Sequence, residues 1–271
     1  PGAEVAGLEN PQRMRTSVSD SFTQGRALIL ENIDGFTNPP VFRKSPHLLN
    51  MSRTAPFGLS GEFANAQLFT TGAVQQHFTR TLTRNGSGAN PDFRLPTADE
   101  LAAIEAFMLA QEFPPGTDSD KFNLDRFALT EAQQRGRTAF FGSAKCSQCH
   151  GGTVLAATTV SIQGKATGVN AAFDTGVVNQ PINSAGGDNL PCEPSVGVCG
   201  TREFSTPQLF NIKNLAPFFH DASVATVQEA VEFYTSAAFS NSPAGLAIGG
   251  ITMSAGTVGD ITAFLLIVLR N

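Results

Sequence analysis

Two cysteines and a histidine stand together in the pentapeptide Cys146-Ser-Gln-Cys149-His150. Two thiols three residues apart can form thioethers with the two vinyl groups on one edge of a porphyrin, and this spacing followed by histidine is the attachment signature of a c-type haem. The imidazole of the next residue then lies below the ring, where it can ligate iron. The spacing therefore predicts one covalently bound haem c, anchored by Cys146 and Cys149 and ligated by His150.

The same cysteines have two other interpretations. A thioredoxin-like redox pair also uses Cys-x-x-Cys, but it requires a βαβ setting and no following histidine. A zinc site would have to combine Cys146 and Cys149 with Cys192 and Cys199. The six residues between the second two cysteines are an unusual spacing for such a site. Haem attachment is the interpretation that uses all three residues of the motif.

Cys192 and Cys199 bracket a short loop that contains no histidine. A disulfide between them would fix the shape of that loop, and two free buried thiols are the alternative. Disulfides form and persist in oxidising compartments, and covalent haem attachment points to the same setting. We therefore expect a periplasmic or secreted protein.

The elements that position the motif are predicted to be helices. Residues 130–141 form a helix that runs directly into Cys146, and a helix from about Thr257 to Arg270 closes the chain, with apolar residues along one face. Small c-type cytochromes cross two such helices beside the haem. A capping box that begins at Thr226 opens another helix, which runs through Tyr234.

The rest of the chain has fewer regular elements. Residues 64–84 and the segment that follows the capping box at Thr97 have apolar residues near helical spacing, so we expect two further helices. Residues 1–60 are rich in Pro, Asn and Ser and are expected to be irregular. Residues 151–203 have no sustained period, which predicts a long loop or several short strands. The expected fold class is mostly α.

Composition excludes several classes of function. The 271 residues carry a net charge of −5, so there is no basic excess with which to neutralise nucleic acid. The longest apolar run, residues 264–269, is far too short to span a bilayer. The aromatic residues are 22 Phe and one Tyr, with no Trp. A role given to the one tyrosine therefore has no substitute elsewhere in the chain.

Part of the second half resembles a known family. The segment Phe-Ser-Thr-Pro-Gln-Leu-Phe-Asn-Ile-Lys-Asn-Leu-Ala-Pro-Phe-Phe-His-Asp (204–221), with residues 222–231 after it, resembles the C-terminal haem domain of bacterial di-haem cytochrome c peroxidases and MauG-type enzymes. Arg-Lys-Ser-Pro-His-Leu-Leu-Asn (43–50) and Ser-Gly (60–61) look like part of their N-terminal haem domain. The resemblance covers most of residues 25–271.

The resemblance implies two cytochrome c-like domains. Residues 1–112 would be part of the N-terminal domain, 113–126 a linker, and 127–271 the c-type haem domain. Members of the family carry one haem in each domain, whereas this chain has one Cys-x-x-Cys-His. The other attachment motif is therefore expected upstream of Pro1, and a relative with a single haem is the alternative.

The resemblance also suggests the second axial ligand of the haem iron. The peroxidases carry a methionine about fourteen residues after the Phe-His pair, and the count from His220 reaches Tyr234. MauG-type enzymes have tyrosine in that position. Met253, just before the last helix, is the alternative, because small single-haem cytochromes take their methionine from that region.

Two family positions of the N-terminal domain are changed. The tryptophan that lies between the haems corresponds to Leu59, and the catalytic glutamate of the peroxide-binding haem corresponds to a position near Thr79. His77 is the candidate to replace that glutamate as an acid–base group. A partly exposed helical histidine without a catalytic role is the alternative.

The remaining implications concern the second half of the chain. His220 is expected in the environment of the haem, and the carbonyl groups of Leu215 and Pro217 are candidates to hold a calcium ion. His47 receives no role. The function implied is that of an oxidoreductase which uses peroxide or oxygen at one haem and passes electrons through the haem ligated by His150. The alternative is an electron-transfer cytochrome without turnover of its own.

The partners follow from that function. They are hydrogen peroxide or oxygen and an electron donor, either a protein or a small-molecule reductant. A homodimer is one form of assembly to test.

Overall fold

The computed structural model describes residues 28–31, 41–44, 46–77, 94–112, 115–177, 192–193, 198–199, 202–220 and 223–267. The helices are α1 (Ala66–His77), α2 (Ala98–Leu109), α3 (Asp118–Lys121), α4 (Glu131–Phe141), α5 (Val227–Phe233), α6 (Ala237–Ser240), α7 (Pro243–Ala247) and α8 (Ala255–Ile267). The strands are β1 (Leu28–Glu31), β2 (Val41–Lys44), β3 (Ala172–Phe173), β4 (Cys192–Glu193), β5 (Val198–Cys199) and β6 (Phe204–Ser205). The described residues are therefore mostly helical, with short strands in antiparallel pairs.

Helix starts are set by local sequence. The capping boxes predicted at Thr97 and Thr226 are both present: each threonine hydroxyl accepts a backbone N–H bond three residues on, from Glu100 and Glu229 respectively. Each glutamate side chain in turn accepts the N–H of its threonine. Helix α4 begins with a third box at Thr130. These reciprocal bonds satisfy donors that the first helical turn leaves without partners.

Helices α4 and α8 cross at backbone contact. A side chain at Gly136 would overlap the carbonyl oxygen of Asp260, so this crossing requires glycine. Beside it, Arg135 forms two hydrogen bonds with the Asp260 carboxylate, at 2.8 and 2.9 Å. The rings of Phe140 and Phe264 pack 5.7 Å apart further along the interface. The predicted pair of crossed helices beside the haem motif is confirmed.

The main hydrophobic core lies around this crossing. Its most buried members come from α4, α5, α8 and the loops between them: Phe140, Ala144, Val154, Leu155, Phe210, Val227, Val231, Val258, Ile261, Phe264 and Leu265. Full burial of one such large apolar side chain contributes about 1.5–3 kcal/mol. Phe122, from the predicted linker, joins this core, with its ring 5.1 Å from that of Phe210.

The N-terminal part has a smaller core and a hairpin. Strands β1 and β2 pair antiparallel, with Leu28 opposite Lys44 and Glu31 opposite Val41. The prediction that residues 1–60 are irregular is wrong for these strands. Four residues each are too few for a period-2 pattern to stand out in the sequence. The small core joins α1 and α2 to the preceding loop through Met51, Phe57, Phe63, Ala66 and Met108.

The other predicted elements agree with the structure where it describes them. Helix α1 covers residues 66–77 of the predicted 64–84, and the rest of that segment lies outside the described residues. The last helix is described to Ile267, and residues 268–270 of the prediction lie outside. Where it is described, the 151–203 segment is loop with short strands, as predicted. None of the described helices is long and apolar enough to cross a membrane.

Candidate haem-attachment site

The attachment motif is held in one tight turn after helix α4. Lys145 adopts the left-handed conformation, with φ of 57°, and starts a 3₁₀ turn over Cys146–Gln148. The carbonyl of Cys146 accepts the N–H of His150 at 2.9 Å. The ammonium of Lys145 binds the carbonyls of Ile248 and Gly250, at 2.7 and 3.1 Å. The turn is thereby fixed to the loop that precedes α8.

The imidazole of His150 is oriented by a backbone carbonyl. Its Nδ1 lies 3.1 Å from the carbonyl oxygen of Leu155. Burial lowers the pKa of His150, and the carbonyls of Leu155 and Pro207 oppose that effect in part. A neutral imidazole that donates from Nδ1 presents its lone pair at Nε2, which is the state that an iron ligand requires.

The two thiols are half-buried, and their surroundings oppose ionisation. Burial raises the pKa of Cys146 to about 12 and that of Cys149 to about 11. Thioredoxin-like motifs do the opposite, because their attacking cysteine must be a thiolate near neutral pH. The structure therefore argues against the redox-pair interpretation, while both free thiols remain suited to thioether formation.

The second cysteine pair lies in a separate hairpin. Cys192 and Cys199 are directly opposite in the antiparallel pair β4–β5. Opposite residues in such a pair have Cα atoms about 4.5–5.5 Å apart, within the range that a disulfide spans. In the part of the chain that the structure describes, no three His, Cys, Asp or Glu side chains are placed to hold a metal ion. The register suits a disulfide, and the pairing stays a prediction.

Tyr234 lies close to the attachment cysteines. It follows the last residue of α5, and its ring packs edge-on against Phe233 and Phe239, at centroid distances of 5.4 and 5.0 Å. Burial of the phenol raises the pKa of Tyr234, and the neighbouring Cys149 and Cys146 raise it further. The structure thus brings the one tyrosine, the two thiols and His150 to the same region of the haem domain.

Met253 lies near the same region of the structure. Its side chain is half-buried and packs against both the main core and the phenylalanine cluster around Tyr234. Ser254 fixes its position, because the Ser254 hydroxyl accepts the N–H of Thr257 at 3.1 Å in the first turn of α8. Both candidate ligands therefore lie near the motif, and the choice between Tyr234 and Met253 stays a prediction.

His220 lies at the contact between the haem domain and the N-terminal part. It is buried and stacks on Phe204, with ring centroids 4.1 Å apart. The neighbouring Ser205 donates its N–H to the carbonyl of Leu59 at 2.7 Å. The position that corresponds to the family tryptophan thus lies beside the strand that carries Phe204. Sequence reasoning did not identify Phe204, because nothing in its own segment indicates the stack.

The remaining candidates have different outcomes. The carbonyls of Leu215 and Pro217 both accept hydrogen bonds from the ammonium of Lys44. His77 is the last residue of α1, and its side chain is not described, so its acid–base role stays a prediction. The position near Thr79 lies outside the described residues.

His47 has a structural setting that the sequence did not indicate. Its Nδ1 accepts the N–H of Leu49, and its Nε2 lies 3.2 Å from the amide nitrogen of Gln208. Burial lowers the pKa of His47 to about 4, and the charge of Lys44 adds to the effect. Gln208 is itself held by two hydrogen bonds to the backbone of Phe210. His47 therefore links the N-terminal part to the haem domain as a neutral group.

The protein should lose stability as pH falls from about 6.5 to about 4. In that window the unfolded chain protonates His47 while the folded chain does not, which costs up to about 3 kcal/mol. Urea unfolding at several pH values measures the slope. His47→Gln should reduce this slope between about pH 6.5 and pH 5, above the range where carboxylates dominate, while the lowered pKa of His150 accounts for a further part of it. An unchanged slope in the variant would contradict the assignment.

In the described residues the fold is mostly helical, and the Cys146, Cys149 and His150 motif forms a tight turn directly after helix α4. No family model matches the chain. The chain is 25% identical to the cytochrome-c peroxidase IdrP2 of Pseudomonas sp. (strain SCT) over an alignment of 267 residues. That alignment covers 86% of this chain and 69% of the other protein. The solved structure of a MauG-like protein associated with microbial copper homeostasis matches with a TM-score of 0.53 and 20% identity, over 88% of this chain and 76% of that one. The predicted resemblance to the di-haem cytochrome c peroxidase and MauG family, and the mostly α fold class, are confirmed.

Proposed function

We propose that this chain is part of a peroxidase-type oxidoreductase. Peroxide or oxygen reacts at one haem, and electrons pass through the haem that His150 ligates. The observation that carries the proposal is the position of a partly buried phenol, Tyr234, beside the haem-attachment motif. The similarity to a cytochrome-c peroxidase supports the same function.

The residues of the site fit a haem c. Cys146 and Cys149 are free thiols one helical turn apart, and His150 is a neutral imidazole whose orientation is fixed by the Leu155 carbonyl. Haem iron, when bound, supplies the change of oxidation state. Lys145 holds the turn in place, and Phe233 and Phe239 pack against the ring of Tyr234.

Tyr234 would set the working oxidation state. A phenolate is a hard anionic donor, so it favours ferric over ferrous iron and lowers the reduction potential relative to methionine. Burial alone keeps the phenol protonated. The positive charge of a ferric haem, if held by His150 and Tyr234, would offset this effect. The proposed role of a second haem domain is the reaction with peroxide.

The proposed compartment is the periplasm or the cell exterior. Covalent haem attachment supports it, and so does the register of Cys192 opposite Cys199, which suits a disulfide. Such a disulfide would close a loop too small to stabilise the fold strongly. Its effect would be to fix the shape of that hairpin. The electron donor would then be a reductant or a small redox protein of the same compartment.

A peroxidase assay tests the function. The intact, haem-loaded gene product should oxidise a reduced donor, such as ferrous cytochrome c or a leuco dye, at a rate that saturates with peroxide. His150→Ala should lose this turnover, whereas Lys213→Met, which replaces an exposed lysine, should keep it.

The second candidate function is electron transfer without turnover, which the packing of Met253 against the same phenylalanine cluster favours. Rapid exchange of electrons with a donor, together with no reaction with peroxide, would support that function and contradict the first.

A further inference from the structure

A lysine from the N-terminal hairpin is bound to the haem domain at the segment that precedes and contains His220. The ammonium of Lys44 donates to the carbonyl oxygens of Leu215 and Pro217, and its backbone N–H donates to the carbonyl of His220. The ring of Phe218, which lies between these residues in the sequence, has its centroid 5.8 Å from the ammonium. Four groups of one short segment therefore converge on one residue from strand β2.

The two carbonyls are the ones that the family resemblance assigned to calcium. Calcium takes six to eight oxygen ligands, usually with carboxylates among them. In the described part of the chain, no cluster of three or more Asp, Glu, His or Cys side chains could hold a metal ion. An ammonium has three N–H donors and one positive charge, which suits two carbonyl oxygens and an aromatic face. The residues present fit a lysine better than a divalent cation.

The lysine and a calcium ion would also exclude each other. The ammonium already lies on both carbonyl oxygens, so an ion bound there would meet a positive charge at contact distance. Such like charges repel strongly in a partly buried site. Burial lowers the pKa of Lys44, yet the carbonyl dipoles around it favour the charged form.

We propose that the Lys44 ammonium is the cation bound at the contact between strand β2 and residues 215–220, and that the protein binds no calcium at Leu215 and Pro217. A side chain of the N-terminal part then does what a bound ion would do: it neutralises the carbonyl oxygens and ties the strand to the segment that carries His220. The contact between the two parts of the chain consequently does not depend on the calcium concentration of the surroundings.

Metal analysis of the wild-type holoprotein tests this directly. After purification in calcium-containing buffer and desalting, elemental analysis should find far less than one calcium per chain. Thermal unfolding should give the same Tm in EGTA and in millimolar calcium chloride, because a ligand that binds only the folded state would raise it. One calcium per chain, or a lower Tm in EGTA, would overturn the proposal.

A pair of lysine variants tests whether the Lys44 ammonium stabilises this contact. Lys44→Met keeps the length of the side chain but removes its donors, so two carbonyls lose their partners and Tm should fall by about 4 °C or more. Lys213→Met is the matched control, because Lys213 lies on the same segment but is exposed, and its Tm should stay unchanged. Equal Tm values for the two variants would contradict the role of Lys44. If Lys44→Met does not fold, the calcium analysis of the wild type still decides.

Discussion

Replacement of both Cys146 and Cys149 by alanine is expected to abolish covalent haem attachment completely. The two thiols lie in one tight turn and are the groups expected to form the thioethers, so no other group in the motif would hold the porphyrin after denaturation. The wild-type protein should keep its Soret absorbance through acid–organic extraction, and its mass should exceed that of the polypeptide by one haem for this motif. In the variant, any haem should move into the organic phase.

The other two cysteines provide the control. Cys192→Ala with Cys199→Ala should retain the covalent haem, because these residues lie in the separate β4–β5 hairpin. The haem-attachment interpretation is wrong if the wild-type haem can be extracted, or if the hairpin variant loses haem while the motif variant keeps it.

Tyr234→Phe should change the ferric absorption spectrum and raise the reduction potential, by on the order of 0.1 V. The substitution removes an anionic donor while it keeps the ring that packs against Phe233 and Phe239. Loss of the phenolate makes the ferrous state relatively more stable. Spectroelectrochemical titration of the holoprotein measures both effects. The wild-type ferric protein should lack the near-infrared sulfur-to-iron band that methionine ligation produces.

Met253→Leu is the matched test of the competing ligand. Leucine conserves most of the side-chain volume at this half-buried position, so the fold should persist. Spectrum and potential should remain nearly unchanged. If Met253→Leu instead abolishes a sulfur-to-iron band and Tyr234→Phe has no effect, Met253 is the ligand and the electron-transfer function is favoured.

Features that depend on near neighbours in the sequence could be predicted. The capping boxes at Thr97 and Thr226 act over three residues, and both are formed. The turn that contains the haem motif also depends on residues that are close in the sequence. The crossing of α4 and α8 could be expected from the class of motif, but the need for glycine at 136 follows only from its contact with Asp260, far away in the chain.

Features that join distant segments could not be predicted from pattern. Lys44 binds carbonyls 171 and 173 residues away, and no local signal in strand β2 marks it for that contact. The stack of Phe204 on His220 likewise has no local signal in the sequence. The proximity of Tyr234 to the thiols was suggested only by a resemblance. Tertiary packing decides such contacts, so they become visible once the chain is folded.

The rings that pack against Tyr234 are phenylalanines, which bears on where an oxidising equivalent could go. Phenylalanine is much harder to oxidise than tyrosine or tryptophan, so Phe233 and Phe239 cannot accept an electron vacancy from the phenol. Phe219, in edge contact with Phe233, extends the same enclosure. With no tryptophan anywhere in the sequence, the aromatic side chains offer no chain of stepping stones to the surface. An oxidising equivalent that reached Tyr234 would therefore find no second tyrosine and no tryptophan in the chain to which it could pass.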